Sequence, residues 1–171
     1  VLNQFFAELS RALEETNGHY AQFNGDGLMA IYGLSGDPRA GAKDALRGAQ
    51  AMLRRIEGLN ARLEGELSEG LRIGIGIHIG EAIVGSMGPP ETPIVSALGD
   101  NVNIAARLES QTKEFGVPLV VSAAVAEFSG ADLAPFARHT VAVKGRQQSI
   151  EVYAVDNPGA ITITDQTAAA E

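Results

Sequence analysis

The sequence predicts one domain of mixed α and β structure, and three observations carry that prediction. Apolar residues at three-to-four-residue spacing alternate irregularly with short apolar runs of period two, as helices and strands do. At least two pairs of the short runs flank turn residues, which is the pattern of a β-hairpin. The 171 residues contain no internal repeat and no linker, and amount to one domain on the rule of roughly 150 residues each. Strands and helices mixed in this way fit an α+β or mixed-sheet α/β domain.

Leu2, Phe5, Phe6, Leu9 and Leu13 mark a first helix, stopped by Asn17-Gly18. His19 to Phe23 and Leu28 to Gly33 surround Asn24-Gly25-Asp26-Gly27, and such Asn-Gly and Asp-Gly pairs supply the positive φ that a tight hairpin needs. Asp37-Pro38 opens a long helix whose apolar face is Ala42, Ala45, Leu46, Ala49, Leu53, Ile56, Leu59 and Leu63. From Leu71 the period becomes two, with Ile73, Ile75, Ile77 and Ile79 alternating with Gly74, Gly76, His78 and Gly80. A strand face of nearly bare backbone predicts close approach by another backbone or a ligand. Ala82 to Met87 and Ile94 to Leu98 are further strands, broken by Gly88-Pro89-Pro90. Asp100 is the expected N-cap of a helix that buries Val102, Ala105, Ala106 and Leu108. Leu119 to Val121, a short helix after Ser122, and the pair Thr140 to Val143 and Ile150 to Val155 complete the pattern.

Composition removes whole classes of function. Hydrophobic residues at 45%, charged residues at 20% and a mean hydropathy of +0.04 exclude intrinsic disorder. No apolar run approaches the roughly 20 residues of a membrane-spanning helix, and the N-terminus has no secretory pattern. There is no cysteine, which excludes disulfides, zinc-thiolate sites and cysteine nucleophiles; a metal here would be held by oxygen. A net charge of −8, from 21 acidic and 13 basic residues, argues against a nucleic-acid partner, which needs a basic face. A few Arg and Lys side chains can still turn the field of a cleft positive for a small anion.

Asp26 sits between glycines at a hairpin tip. Such a residue is commonly no more than a turn former, but the same position exposes a carboxylate to a hard cation, and Mg²⁺ takes one or two carboxylates plus phosphate oxygens. Asn103 and Arg107 are four apart and share a helix face. Each alone reads as a solvated polar position; together an amide and a permanent cation suit a ribose and a phosphoryl group. Lys144 beside Gly145 reads first as an ordinary charged turn, and His78 as a packed histidine with its bonds satisfied. Gly74-Ile75-Gly76 lies inside a strand pattern, so it is no dinucleotide fingerprint.

The order of these residues adds more. Gln22-Phe23-Asn24-Gly25-Asp26-Gly27-Leu28-Met29-Ala30, then Arg72 to Glu81, then Leu98-Gly99-Asp100-Asn101-Val102-Asn103-Ile104-Ala105-Ala106-Arg107-Leu108-Glu109, then Val143-Lys144-Gly145 closely resemble the class III adenylate/guanylate cyclase catalytic domain, over about Val1 to Val155. The resemblance implies a ferredoxin-like βαββαβ core with extra C-terminal strands, a catalytic domain at 1–156 and a polar tail at 157–171, expected to fray. It implies attack of a ribose 3′-oxygen on the α-phosphorus of a nucleoside triphosphate with loss of pyrophosphate, aided by two ions, Mg²⁺ or Mn²⁺. By position Asp26 matches one of two metal-binding aspartates, Arg107 the arginine that stabilises charge at the α-phosphate, Asn103 the ribose-positioning asparagine, and Lys144 the triphosphate-binding lysine. It further implies a head-to-tail homodimer whose two sites each draw on both subunits, sensor or regulatory domains upstream, and a cytoplasmic location, with membrane anchoring of the parent protein left open.

The sequence departs from the family pattern at two places. The adenine-reading lysine position is Gln22 and its partner position is Ser96; Gln and Ser both donate and accept, so either purine could be read, with ATP favoured over GTP. The family's other metal aspartate lies on a strand before the first helix, whereas Val1 falls inside that helix. The expectation is therefore a natural protein that extends upstream and a domain lacking its first strand here. Two rival readings stay open: a catalytically inactive cyclase-like module for nucleotide binding or dimerisation, and a ferredoxin-like interaction domain with purely structural polar residues.

Overall fold

The computed structural model describes residues 2–24, 27–34, 36–87, 94–143 and 149–164. In chain order these form α1 (Leu2–Glu15), β1 (His19–Asn24), β2 (Gly27–Ile31), α2 (Pro38–Arg62), β3 (Ile75–Ile77), β4 (Ile83–Met87), β5 (Ile94–Leu98), α3 (Asp100–Phe115), β6 (Leu119–Ser122), α4 (Ala123–Ser129), β7 (Ala137–Val141) and β8 (Ile150–Val155). Local chemistry sets several of these bounds. Asn17 takes the left-handed φ of 65° and the Gly18 amide donates back to the Leu13 carbonyl at 2.8 Å, which ends α1. The Asp37 carboxylate accepts from the Arg39 amide at 3.0 Å and Pro38 opens α2, as an N-cap followed by proline should.

The main sheet has the order β3-β6-β8-β7. β3 and β6 are parallel, joined by a crossover that contains α3, and β8 lies antiparallel between β6 and β7. All four residues of β6 are buried, as expected of a strand covered on both faces. Leu119 and Val121 join Ala42, Leu46 and Ala49 of α2 and Val125 of α4 in one core. Val120 points the other way, into a core with Ile104 and Leu108 of α3, Val141 and Val152. The β1-β2 and β4-β5 hairpins form separate two-stranded sheets.

The structure corrects four expectations. The period-two stretch from Leu71 to Gly80 forms a ladder only over Ile75–Ile77, because short β6 offers pairs through Leu119, Val120 and Val121 alone and no strand borders the other edge of β3 among the described residues. The N-cap of α3 is Gly99, with φ 136°, and Asp100 is the first helical residue. The helix buries Ile104, Leu108, Gln111 and Thr112, while Val102 and Ala105 are half-buried and Ala106 is exposed, since the stripe at 104, 108, 111 and 112 faces the sheet. The tail does not fray from Asn157: Pro158–Ala160 forms a 3-10 turn, Ile161 is buried, and the Gln50 amide donates to the Pro158 and Ile161 carbonyls at 2.9 and 3.2 Å. Gln50 thereby satisfies backbone groups that would otherwise be drawn into solvent.

A second face of α2, with Ala51 and Met52, packs against Leu9, Ala12 and Leu13 of α1. Charge closes this contact. Glu8 is buried and accepts from Arg11 at 3.1 Å, Arg55 at 3.0 Å and Arg62 at 2.8 Å, while Arg55 also grips Glu15 at 3.2 and 2.9 Å. The hydrogen bond from Arg55 outweighs the opposing effect of burial and lowers the Glu8 pKa. A carboxylate with a depressed folded pKa contributes stability in full above its unfolded value near 4.3, and that contribution is lost as pH falls through the lower folded value. Glu8→Gln is accordingly expected to lower the melting temperature at pH 7 by several degrees, and by progressively less as the pH falls below about 4.3. Calorimetry across that range would refute the ionic role if the difference were equal at both ends.

Candidate active site

The site is built on the helix that follows the glycine face of β3. A Cβ at Gly76 would strike the Glu109 amide nitrogen and stand 2.7 Å from the Ala105 carbonyl. Those at Gly74 and Gly80 would strike Thr112 Oγ1 and the Asn101 amide group. The close approach that the sequence predicts is thus made by α3, through its backbone at Gly76 and through the Thr112 and Asn101 side chains at Gly74 and Gly80. His78 fixes the first turn of the helix: its Nε2 stands 2.9 Å from Asn101 Oδ1 and its Nδ1 2.9 Å from Ser122 Oγ. Asn101 in turn donates from Nδ2 to the Glu81 carbonyl at 2.8 Å. His78 is the packed histidine of the sequence reading, with both ring nitrogens bonded.

With one face of α3 held against the sheet, Asn103 and Arg107 fall on its exposed face. The Arg107 Nε donates to the Ala142 carbonyl over a long 3.4 Å. With the Gln111 amide oriented to satisfy its neighbours, its oxygen accepts from Arg107 Nη1 at 2.9 Å and Nη2 at 3.3 Å, and its nitrogen donates to Glu114 Oε2 at 3.1 Å. An exposed cation is therefore held by a buried amide one turn later. Gln111 and Asn101 went unmarked in the sequence; the four-residue spacing from Arg107 to Gln111 is the only local signal of the first.

Gln22 lies on β1 opposite Met29, next to a register shift at Tyr20/Gln22, and such bulges re-aim the strand beside them. Ser96 lies on β5 opposite Gly85. β1 packs against β5, so the strands carrying Gln22 and Ser96 are neighbours, and Gly99 joins β5 directly to the helix of Asn103 and Arg107. Asn24 pairs with Gly27, which makes the hairpin connection two residues long. Asp26 and Lys144 lie outside the described residues, as do the side chains of Gln22 and Ser96. Among the described residues no group of three His, Asp or Glu side chains could hold a metal ion. In chemistry alone, an aspartate at position 26 of a chain without cysteine is a hard oxygen donor, the kind that Mg²⁺ takes together with phosphate oxygens.

The adenylate and guanylate cyclase catalytic domain family model matches residues 1–157. The chain belongs to this family. Adenylate cyclase 1 of Rhizobium meliloti is 32% identical over 91% of the cyclase-family chain and 23% of its own length. The chain spans between 7% and 31% of the curated adenylate cyclases it matches among the first three. The guanylyl cyclase Cya2 is 24% identical, covers 95% of this chain and 83% of its own, and superposes with a TM-score of 0.75. The adenylyl cyclase CyaB from P. aeruginosa is 21% identical, covers 98% and 82%, and superposes at 0.72. These two likenesses establish the class III cyclase fold. The family uses divalent metal ions. No helix among the described residues is long and apolar enough to cross a membrane.

Proposed function

We propose that the domain is a nucleotide cyclase that converts ATP, and less readily GTP, to the 3′,5′-cyclic monophosphate and pyrophosphate, in the cytoplasm, under upstream sensor or regulatory domains. The observation that carries this reading is the placement of Asn103 and Arg107 together on the exposed face of a helix in a chain of the cyclase family. The ribose 3′-hydroxyl passes its proton to solvent water and its oxygen bonds to the α-phosphorus as the bond from that phosphorus to the oxygen bridging to the β-phosphate breaks, releasing pyrophosphate. Asn103 holds the ribose. Gln111 takes one Nη hydrogen from each side of the Arg107 guanidinium and Ala142 takes the Nε hydrogen. Two Nη hydrogens, one on each flank of the guanidinium, are then left without a partner among the described residues, and each can donate a charge-assisted hydrogen bond to a phosphate oxygen. Lys144 binds the triphosphate, and Gln22 and Ser96 contact the base.

Asp26 would hold two Mg²⁺ or Mn²⁺ ions together with phosphate oxygens and a further carboxylate. When bound, such ions would acidify the attacking hydroxyl and neutralise charge on the leaving pyrophosphate. In the head-to-tail homodimer one subunit contributes Asp26 and its partner Asn103 and Arg107. The test is product analysis on the full-length protein, with Mn²⁺ and either ATP or GTP. Cyclic AMP should form several times faster than cyclic GMP, and neither should form in excess EDTA. Absence of both products with metal present would sink the enzymatic reading in favour of a regulatory module, and faster cyclic GMP would reverse the base preference.

A further inference from the structure

We infer that Gln111 is a positioning residue for the Arg107 guanidinium, and that this buried amide, one turn along the same helix, sets where the cation stands at the reaction centre. The inference rests on the proposed role of Arg107.

An exposed arginine carries about 2 kcal/mol of side-chain rotamer entropy and does not stay in one place unless something holds it. Here three contacts do so. Gln111 is 4% exposed, so its amide sits in the packed face of α3 beside Thr112 and Leu108, and its own orientation is fixed from behind by Glu114 Oε2. The oxygen therefore presents a rigid acceptor to both Nη atoms of Arg107, while the Ala142 carbonyl takes Nε. Ala142 precedes Lys144 by two residues, so the same guanidinium is tied to the segment that leads to the triphosphate-binding lysine. A buried amide with no role would be an unusual choice on a sheet-facing stripe otherwise made of Ile104, Leu108 and Thr112, because an apolar side chain of the same size would pack there without needing partners.

Preorganised charge acts on a transition state only if it is aimed beforehand, and a displacement of about 1 Å can cost 10²-fold. Gln111→Met keeps the length and bulk of the side chain and removes the acceptor. It should lower kcat for cyclic nucleotide formation roughly ten- to a hundredfold, leave KM within about threefold, and leave the melting temperature within a few degrees. Gln111→Glu combined with Glu114→Gln exchanges the acceptor and donor roles of the pair and should restore kcat to within about fivefold of the parent. In an Arg107→Ala background Gln111→Met should have no further effect.

A readout independent of turnover separates this inference from the reading beneath it. Rotation of the Arg107 guanidinium about its Nε–Cζ bond, followed by ¹⁵N NMR, should be slow in the parent protein and fast in Gln111→Met. Equal rotation in both, or an equal kcat loss from Gln111→Met with Arg107 already removed, would overturn the positioning role while leaving the cyclase reading intact. Full activity in Arg107→Ala would instead overturn the role of Arg107 itself, and the inference with it.

Discussion

Arg107→Ala is expected to lower kcat by about a thousandfold while the protein keeps its fold and its KM changes little, since removing one donor from a developing oxyanion costs roughly 10²–10³ in rate. The side chain is exposed and packs no core, so its loss should not unfold α3, whose sheet-facing stripe is Ile104, Leu108, Gln111 and Thr112. Arg107→Lys should recover little of the rate. An ammonium keeps the charge but cannot span both phosphate oxygens while bonding Gln111 and Ala142 at once. Asp26→Ala should also remove activity, in its case by weakening metal binding.

The two inactive variants make a sharper test together. If each site draws Asp26 from one subunit and Arg107 from its partner, a mixed dimer of Asp26→Ala and Arg107→Ala has one doubly damaged site and one intact site. A one-to-one mixture that exchanges freely forms mixed dimers half the time, so about a quarter of the parent activity should return on the symmetry of a two-fold assembly. Activity no greater than that of either variant alone would place both residues in the same subunit's site.

The second large effect is on the fold. Gly76→Ala should destabilise the domain by about 3 kcal/mol, at the upper end of the usual cost of overpacking, and lower its melting temperature by roughly 6–12 °C for a domain of this length. The added methyl meets the Glu109 amide nitrogen and the Ala105 carbonyl oxygen, both parts of a helix backbone, and no rotamer change relieves such a clash. α3 must move off β3 as a body, which carries Asn103 and Arg107 away with it, so kcat should fall in the molecules that remain folded. Gly85→Ala is the control, because a methyl there meets nothing within 4 Å among the described residues and should change the melting temperature by less than about 2 °C. Equal effects at the two positions would refute the packing argument.

The local elements were legible because their signals are local. Asn17-Gly18 ends α1 through a left-handed φ that few other residues accept, and Asp37-Pro38 starts α2 through one cap and one missing donor. The alternation of Ile with Gly over residues 73–80 announced a strand approached closely on one side. It could not name the partner, nor warn that pairing would stop at three residues, since strand length depends on how many residues β6 supplies. The expected burial of Val102, Ala105 and Ala106 failed for a related reason: a helix of mixed composition offers several apolar stripes, and the sheet chose the one at 104, 108, 111 and 112.

The candidate site divides in the same way. Asn103 and Arg107 share a face by helical spacing alone, and the ordered blocks of sequence around them pointed to a cyclase before any coordinate. Sequence by itself thus determined the residue types, their order and the family. Tertiary structure decided which face of α3 meets the sheet, that β1 and β5 lie side by side, and that the Arg107 guanidinium rests on Gln111 and on a carbonyl 35 residues away. Periodicity reports which residues of one element look the same way. It carries no information about what they meet there, because that is set by packing between elements far apart in the chain.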